Sequence, residues 1–194
     1  MLRKVTIEGT TPLLMNAFTD QAAMDATNGS RLSSAAKSKG TPQEQAEEVR
    51  YKPVSGKGDM IPQPNLFSCI IEAGKFFKNG KSKITTTKSS LIPSCLAIEG
   101  VKNGAELEVK HKQPWTVDTR AVRIPATGGR ILRHRPKFDD WEITFILDID
   151  ETEINEKLTR EIIDAAGKKV GLGDFRPSCK GPFGKFVVKK WVKA

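Results

Sequence analysis

At 194 residues, with 38% apolar content and a formal charge of +9, the chain is long enough for one domain with a real core. That charge favours polyanions, either nucleic acid or an anionic surface, over neutral partners. No apolar run is long enough to span a bilayer, and Cys69, Cys95 and Cys179 form no C-x-x-C pair. That spacing argues against a zinc knuckle, and the odd, sparse count fits a reducing, cytoplasmic setting with no disulfide framework.

The opening MLRKVTIEG reads as a strand and not as a signal peptide, with Val5 and Ile7 on one face and Lys4, Thr6 and Glu8 on the other. Pro12 ends it. Residues 19–63 turn polar and small, as an inserted segment would, with a short helix expected in PQEQAEEVRY. QPNLFSCIIEAGKFFKNG then shows helical spacing, with Leu66, Ile70, Ala73, Gly74 and Phe77 on one side. Asn65 is its expected N-cap and Gly80 its stop. KSKITTTKSSLIPSCLAIEG is rich in strand formers, and AELEVKHKQPW alternates.

TVDTRAVRIPATGGRILRHRPKF predicts a hairpin over about 116–137, turning at PATGG. Arg120, Arg123, Arg130, Arg133, Arg135 and Lys137 make it strongly basic, with no acidic residue between 120 and 137. WEITFILDI is the clearest strand, with Trp141, Ile143, Phe145, Leu147 and Ile149 on one face. NEKLTREIIDAAGKKVG follows as a helix, and GKFVVKKWVK closes the chain as a strand. In that strand, alternation puts Lys185, Val187, Lys189, Trp191 and Lys193 together, a basic face with a ring on which a base could stack. The order strand, helix, two strands, helix, strand predicts an α+β fold with a ferredoxin-like or RRM-like βαββαβ core, a single domain over 1–194.

Charge is segregated. Between Asp139 and Asp164 ten acidic residues face only Lys157 and Arg160, whereas from Lys168 onward eight basic residues face only Asp174. Such a chain can hold a polyanion on its basic side and a neighbouring copy on its acidic side, or neutralise itself within the fold.

The last connection, GLGDFRPSCKGPFG, is longer and richer in glycine than a helix-to-strand turn needs. Gly171 alone would serve as a C-cap. Glycines let backbone amides approach a phosphate, Arg176, Lys180 and Lys185 add charge, and Phe175 and Phe183 offer stacking faces. No G-K-[ST] follows, so this is not a P-loop.

This stretch resembles the glycine-rich loop of the RAMP superfamily, the RNA-binding proteins of CRISPR systems. The matching residues are Gly171-Leu172-Gly173, Arg176, Lys180, Gly181 and Phe183-Gly184-Lys185; Gly181-Pro182-Phe183-Gly184 departs from the plain pattern. Within that superfamily the chain is most similar to the backbone subunit that wraps guide RNA, or to a stand-alone or phage-borne relative. The resemblance implies a protein that grips single-stranded RNA (or DNA) by its backbone and polymerises along it, alone or with other effector subunits. The expected contacts are the five hairpin arginines, His134, and Gly171, Gly173, Arg176, Lys180, Gly181, Gly184 and Lys185. No cofactor or membrane is expected, and no metal either, since His111 and His134 are the only histidines and no H-E-x-x-H motif occurs. Two other readings stay open: a RAMP-like endoribonuclease using His134 or Asp118, and a phage single-stranded DNA-binding or annealing protein. A phosphate-contacting His134 and an Asp118 paired with Arg120 are the plainer roles for those two side chains.

Overall fold

A computed structural model describes residues 1–18, 40–102, 104–123 and 128–194 of a mixed α+β protein with antiparallel sheets. Strand β1 (Leu2–Gly9) is followed by the two-residue β2 (Leu13–Leu14), helix α1 (Pro42–Glu48), strand β3 (Asp59–Pro62) and helix α2 (Gln63–Ala73). The small strands β4 (Lys78–Asn79) and β5 (Ser82–Lys83) and the single-turn α3 (Ile92–Cys95) lead into β6 (Leu96–Gly100) and β7 (Glu106–Lys110). Next come β8 (Thr116–Arg123), β9 (Arg130–Phe138), β10 (Glu142–Ile149), helix α4 (Glu156–Ala165) and β11 (Phe186–Lys193).

The main sheet runs β11-β1-β10-β7-β3, with β6 also pairing on β10. Its centre follows from alternation. Ile143, Phe145, Leu147 and Ile149 of β10 are fully buried, and the register sets Val5 opposite Phe145 and Ile7 opposite Ile143. Residues opposite one another point to the same side, so both strands give one apolar face. Helices α2 and α4 supply Leu66, Ile70, Ala73, Ile162 and Ile163 to the same core. The other face of the sheet carries Lys4, Thr6, Glu142, Thr144 and Lys190. A second sheet, β2-β9-β8, holds the long hairpin. The turn residues 124–127 and residues 19–39 of the expected insertion lie outside the described residues.

Local chemistry explains the helix boundaries. Thr41 and Glu44 close a capping box on α1, the short helix expected in PQEQAEEVRY. Asn155 caps α4 by accepting from the Leu158 amide at 2.9 Å. Helix α2 differs from expectation. It begins at Gln63, so Asn65 lies inside the first turn and caps nothing. Pro64 is tolerated there because a first-turn N–H has no intrahelical acceptor. The helix runs into a 3-10 turn, Gly74–Phe76, and Gly80 belongs instead to the β4–β5 turn.

The face expected for the last strand is also corrected. Thr6 pairs with Lys190 and Ile7 with Val188, so Lys189 is an extra, bulged residue. The bulge switches the side on which later residues fall. Trp191 therefore sits opposite Val5, packs on the core, donates to Glu156 and lies under the Arg160 guanidinium. Lys189 points to the other face and pairs with Glu8 at 2.7 Å and Glu142 at 2.8 Å. Trp191 and Lys189 therefore do not share the face expected of them.

Among the described residues no helix is long and apolar enough to cross a membrane.

Candidate nucleic-acid interface

The glycine loop is folded back on itself. The Leu172 amide donates to the Gly184 carbonyl, and the Gly184 amide to the Pro12 carbonyl, each at 2.8 Å. Asp174 donates to Leu14 at 2.8 Å, Gly181 to Arg176 at 2.9 Å and Gly171 to Ala166 at 2.8 Å. The loop is thus stitched to itself, to the end of α4 and to β2. Side chains are excluded by this packing. A Cβ at Gly184 would lie 1.8 Å from the Leu172 carbonyl oxygen, and one at Gly181 would lie 1.7 Å from that of Phe175. The glycines are needed for close backbone approach, but the approach is to protein. The amides of Gly171, Gly181 and Gly184 are already donating and are not held open for a phosphate. Gly173 differs: its amide has no acceptor among the described residues, and it lines a cleft against α2.

The loop's side chains divide in the same way. Lys180 is exposed in a left-handed conformation at φ 63°. Arg176 donates from Nη1 to the Gly173 carbonyl at 3.0 Å and lines the same cleft. Lys185 is half-buried, with its backbone bound to Thr10 and Thr11. Phe183 is buried under the Arg120 guanidinium, 4.6 Å from its ring centroid, and so offers no free face for a base. Phe175 leans on it, with ring centroids 6.0 Å apart.

Strands β8 and β9 form the expected hairpin. The register places Asp118 opposite Arg135, Arg120 opposite Arg133 and Arg123 opposite Arg130. Because faces alternate, the first two pairs share one side of the ribbon and the Arg123/Arg130 pair takes the other. Near its base the hairpin is neutralised and locked to the glycine loop. Arg135 is buried in an ion pair with Asp174, and Arg120 donates from Nε to both Asp118 oxygens, at 2.9 and 2.8 Å. That pairing raises the Arg120 pKa further. Arg135 is thus a structural tie. Arg120 keeps a partly exposed guanidinium, and Asp118 is buried beneath it.

Toward the tip the balance changes. Arg123 and Arg130 are exposed, directly opposite one another, and have no acidic partner among the described residues. Directly opposed like charges destabilise a sheet pair by a few tenths to about 1 kcal/mol. His134 stands on this side too, its Nδ1 2.8 Å from the Thr119 hydroxyl across the ribbon.

A polar network fixes the hairpin's root. Arg50 binds Asp59 at 2.6 Å and Glu47 at 2.7 Å and lies over Trp115, while His111 bridges Asp59 at 3.0 Å and the Gln113 carbonyl at 2.8 Å. Asp59 is only 5% exposed. Both of its oxygens are paired, which offsets the cost of burying it.

Sequence reasoning missed the cleft beside the loop. Helix α2 contributes Asn65, Ser68 and Glu72 to it, spaced as one helical stripe. The spacing was visible, but a polar stripe on an amphipathic helix reads as its solvent face. Cys69 lies at the cleft's floor, donating to the Gly171 carbonyl at 3.1 Å. Burial pushes its thiol up to about 12, so it is unreactive. No group of His, Cys, Asp and Glu side chains suited to a metal ion occurs among the described residues.

No protein-family model matches the chain, and no curated protein matches it. Among solved structures it is similar to a chain in the cryo-EM structure of the Type III-B Cmr-beta complex bound to cognate target RNA. The TM-score is 0.55 at 12% identity, and the match covers 99% of this chain and 60% of that one. The likeness is one of fold, and this chain spans about 60% of that chain's length.

Proposed function

We propose that this chain is a RAMP-like protein that binds single-stranded RNA, gripping its phosphate backbone with the hairpin and the rim of the glycine loop. The reading takes β1, α2, β6, β10, α4 and β11 as a ferredoxin-like βαββαβ core with both helices on one face. It takes 19–63 as the insertion, of which residues 59–62 add an edge strand, and 116–137 as a protruding hairpin. The carrying observation is the opposed pair Arg123/Arg130 on a hairpin whose root is tied to the loop through Arg135 and Asp174. Two arginines facing each other, with no acid beside them among the described residues, cost stability in the free protein and gain it back on a polyanion. His134 adds a ring nitrogen on the Arg123/Arg130 side of the ribbon, Arg133 lies on the other side with Arg120, and Arg176, Lys180 and the half-buried Lys185 bring charge from the loop.

The structural relative comes from a complex with target RNA, which supports RNA over DNA as the ligand. The reading includes polymerisation along the strand as repeated copies, with the acidic 139–164 segment available to a neighbour. Binding without cleavage is expected, because Asp118 is engaged by Arg120 and His134 by Thr119. The test is the salt dependence of binding to a single-stranded oligoribonucleotide. A steep linear fall of log K with log salt supports the reading, and salt-independent binding refutes it.

A further inference from the structure

The cleft between the glycine loop and α2 has a volume of about 350 Å³, at the small end of the roughly 300–1,000 Å³ of ligand pockets. One wall carries Asn65, Ser68 and Glu72 from α2; the other carries Gly173, Arg176 and Asp174 from the loop, the last already engaged by Arg135 and the Phe175 amide; Asn16 and Tyr51 close it. The side chains of Asn16, Tyr51, Asn65 and Ser68 have no hydrogen-bond partner among the described residues. Among the described residues Glu72 reaches only Lys75, at a loose 3.8 Å, and does not pair with Arg176 across the cleft.

This is not the lining of a phosphate site. An ionised carboxylate only accepts hydrogen bonds and repels a phosphate. What enters beside Glu72 must bring donors. Single-stranded RNA is read by splaying out a base, stacking it on a ring and hydrogen-bonding its Watson–Crick edge. Guanine alone among the four bases presents two adjacent N–H donors on that edge, N1–H and the 2-amino group, which match the two oxygens of a carboxylate. Uracil offers one N–H between two carbonyls. Adenine and cytosine set a ring nitrogen acceptor beside the amino group, and the carboxylate repels it. Asn65 and Ser68 can donate to the guanine O6, and Tyr51 offers a ring face. Arg176 and the unpaired Gly173 amide remain at the loop side for the attached phosphate.

We infer that this cleft is a nucleobase pocket selective for guanine, with Glu72 as the specificity-determining side chain. The inference rests on the RNA-binding reading and adds a base preference to a grip that is otherwise indifferent to sequence. It is tested by fluorescence anisotropy with a short oligouridylate, the same oligomer carrying one guanosine, and the same carrying one inosine. The single guanosine tightens binding about tenfold, the lower part of the range for a bidentate base contact. Inosine, which lacks the 2-amino group, loses most of that gain. Glu72→Gln brings the guanosine-to-uridine affinity ratio near one, because an amide cannot accept from both donors. Arg123→Ala weakens all three oligomers alike and keeps the ratio. Equal, salt-sensitive binding of guanosine and uridine oligomers overturns the pocket alone, as does a ratio that survives Glu72→Gln. Failure of every oligomer to bind at low salt overturns the pocket and the RNA-binding reading together.

Discussion

Replacing Gly184 and Gly80 by alanine separates the two reasons a loop can need glycine. Both residues have positive φ, 69° and 61° respectively. A side chain at such an angle costs about 1 kcal/mol in either place. At Gly80 that is the whole cost, because nothing lies within 4 Å of the added Cβ. At Gly184 the Cβ would sit 1.8 Å from the Leu172 carbonyl oxygen and 3.0 Å from the Leu172 nitrogen. The strands of the loop must then part. The Leu172–Gly184 and Gly184–Pro12 hydrogen bonds are lost in a buried region, and each unsatisfied buried group costs about 1–3 kcal/mol. The expected total for Gly184→Ala is about 3–7 kcal/mol, a large share of the roughly 5–15 kcal/mol that holds a domain together. Urea denaturation of the two variants reads the difference as a shift in midpoint at constant slope. A Gly184→Ala midpoint no lower than that of Gly80→Ala would show that the loop is not packed as described.

Two further outcomes are expected. Arg123→Glu turns an opposed like-charge pair into an ion pair with Arg130, so the hairpin should gain roughly 0.2–1 kcal/mol, seen as slower amide exchange in 116–123 and 130–138. The same variant should bind RNA more weakly, with the salt slope shallower by about 1.4 for two lost phosphate contacts; faster exchange or unchanged binding would count against the account. Glu156 is held at about 2, against an ordinary 4.5, by hydrogen bonds from Arg3 and then Trp191. Its unfolded form takes up a proton at higher pH than its folded form, so its contribution is complete above pH 4.5 and is lost as pH falls towards 2. Urea midpoints of the parent and Glu156→Gln should therefore differ at neutral pH and converge in acid, and a gap that stays constant with pH would refute the assignment.

The parts of this fold that follow local rules were legible in the residues. Alternation in WEITFILDI put Ile143, Phe145 and Leu147 in the core, and the paired basic runs around PATGG made a hairpin. Other features depend on residues far apart in the chain. One bulged residue, Lys189, moved Trp191 to the opposite face, and no pattern within GKFVVKKWVK marks where a bulge falls. Arg135 looked like its neighbours in the basic run, yet it meets Asp174 in the glycine loop and is buried by that contact. The loop's glycines stand out in the sequence, but which atoms they approach is set by Pro12 and Leu14 at the other end of the chain. Glu72 and Asn65 were hidden for the same reason: only the returning loop turns an ordinary polar helix face into the wall of a cleft.

The central claim, a cationic grip on single-stranded RNA, is tested most directly by titrating binding against salt between about 50 and 200 mM. Arg123, Arg130, Arg176 and Lys180 are the candidate phosphate contacts, and at about 0.7 per contact they set an expected slope of roughly −2 to −3 in log K against log salt. The slope should become shallower in the Arg123→Ala, Arg130→Ala double variant, while its urea midpoint stays at or above that of the parent. A parent slope shallower than about −0.7, less than a single phosphate contact, would contradict the account, as would no binding at the low-salt end.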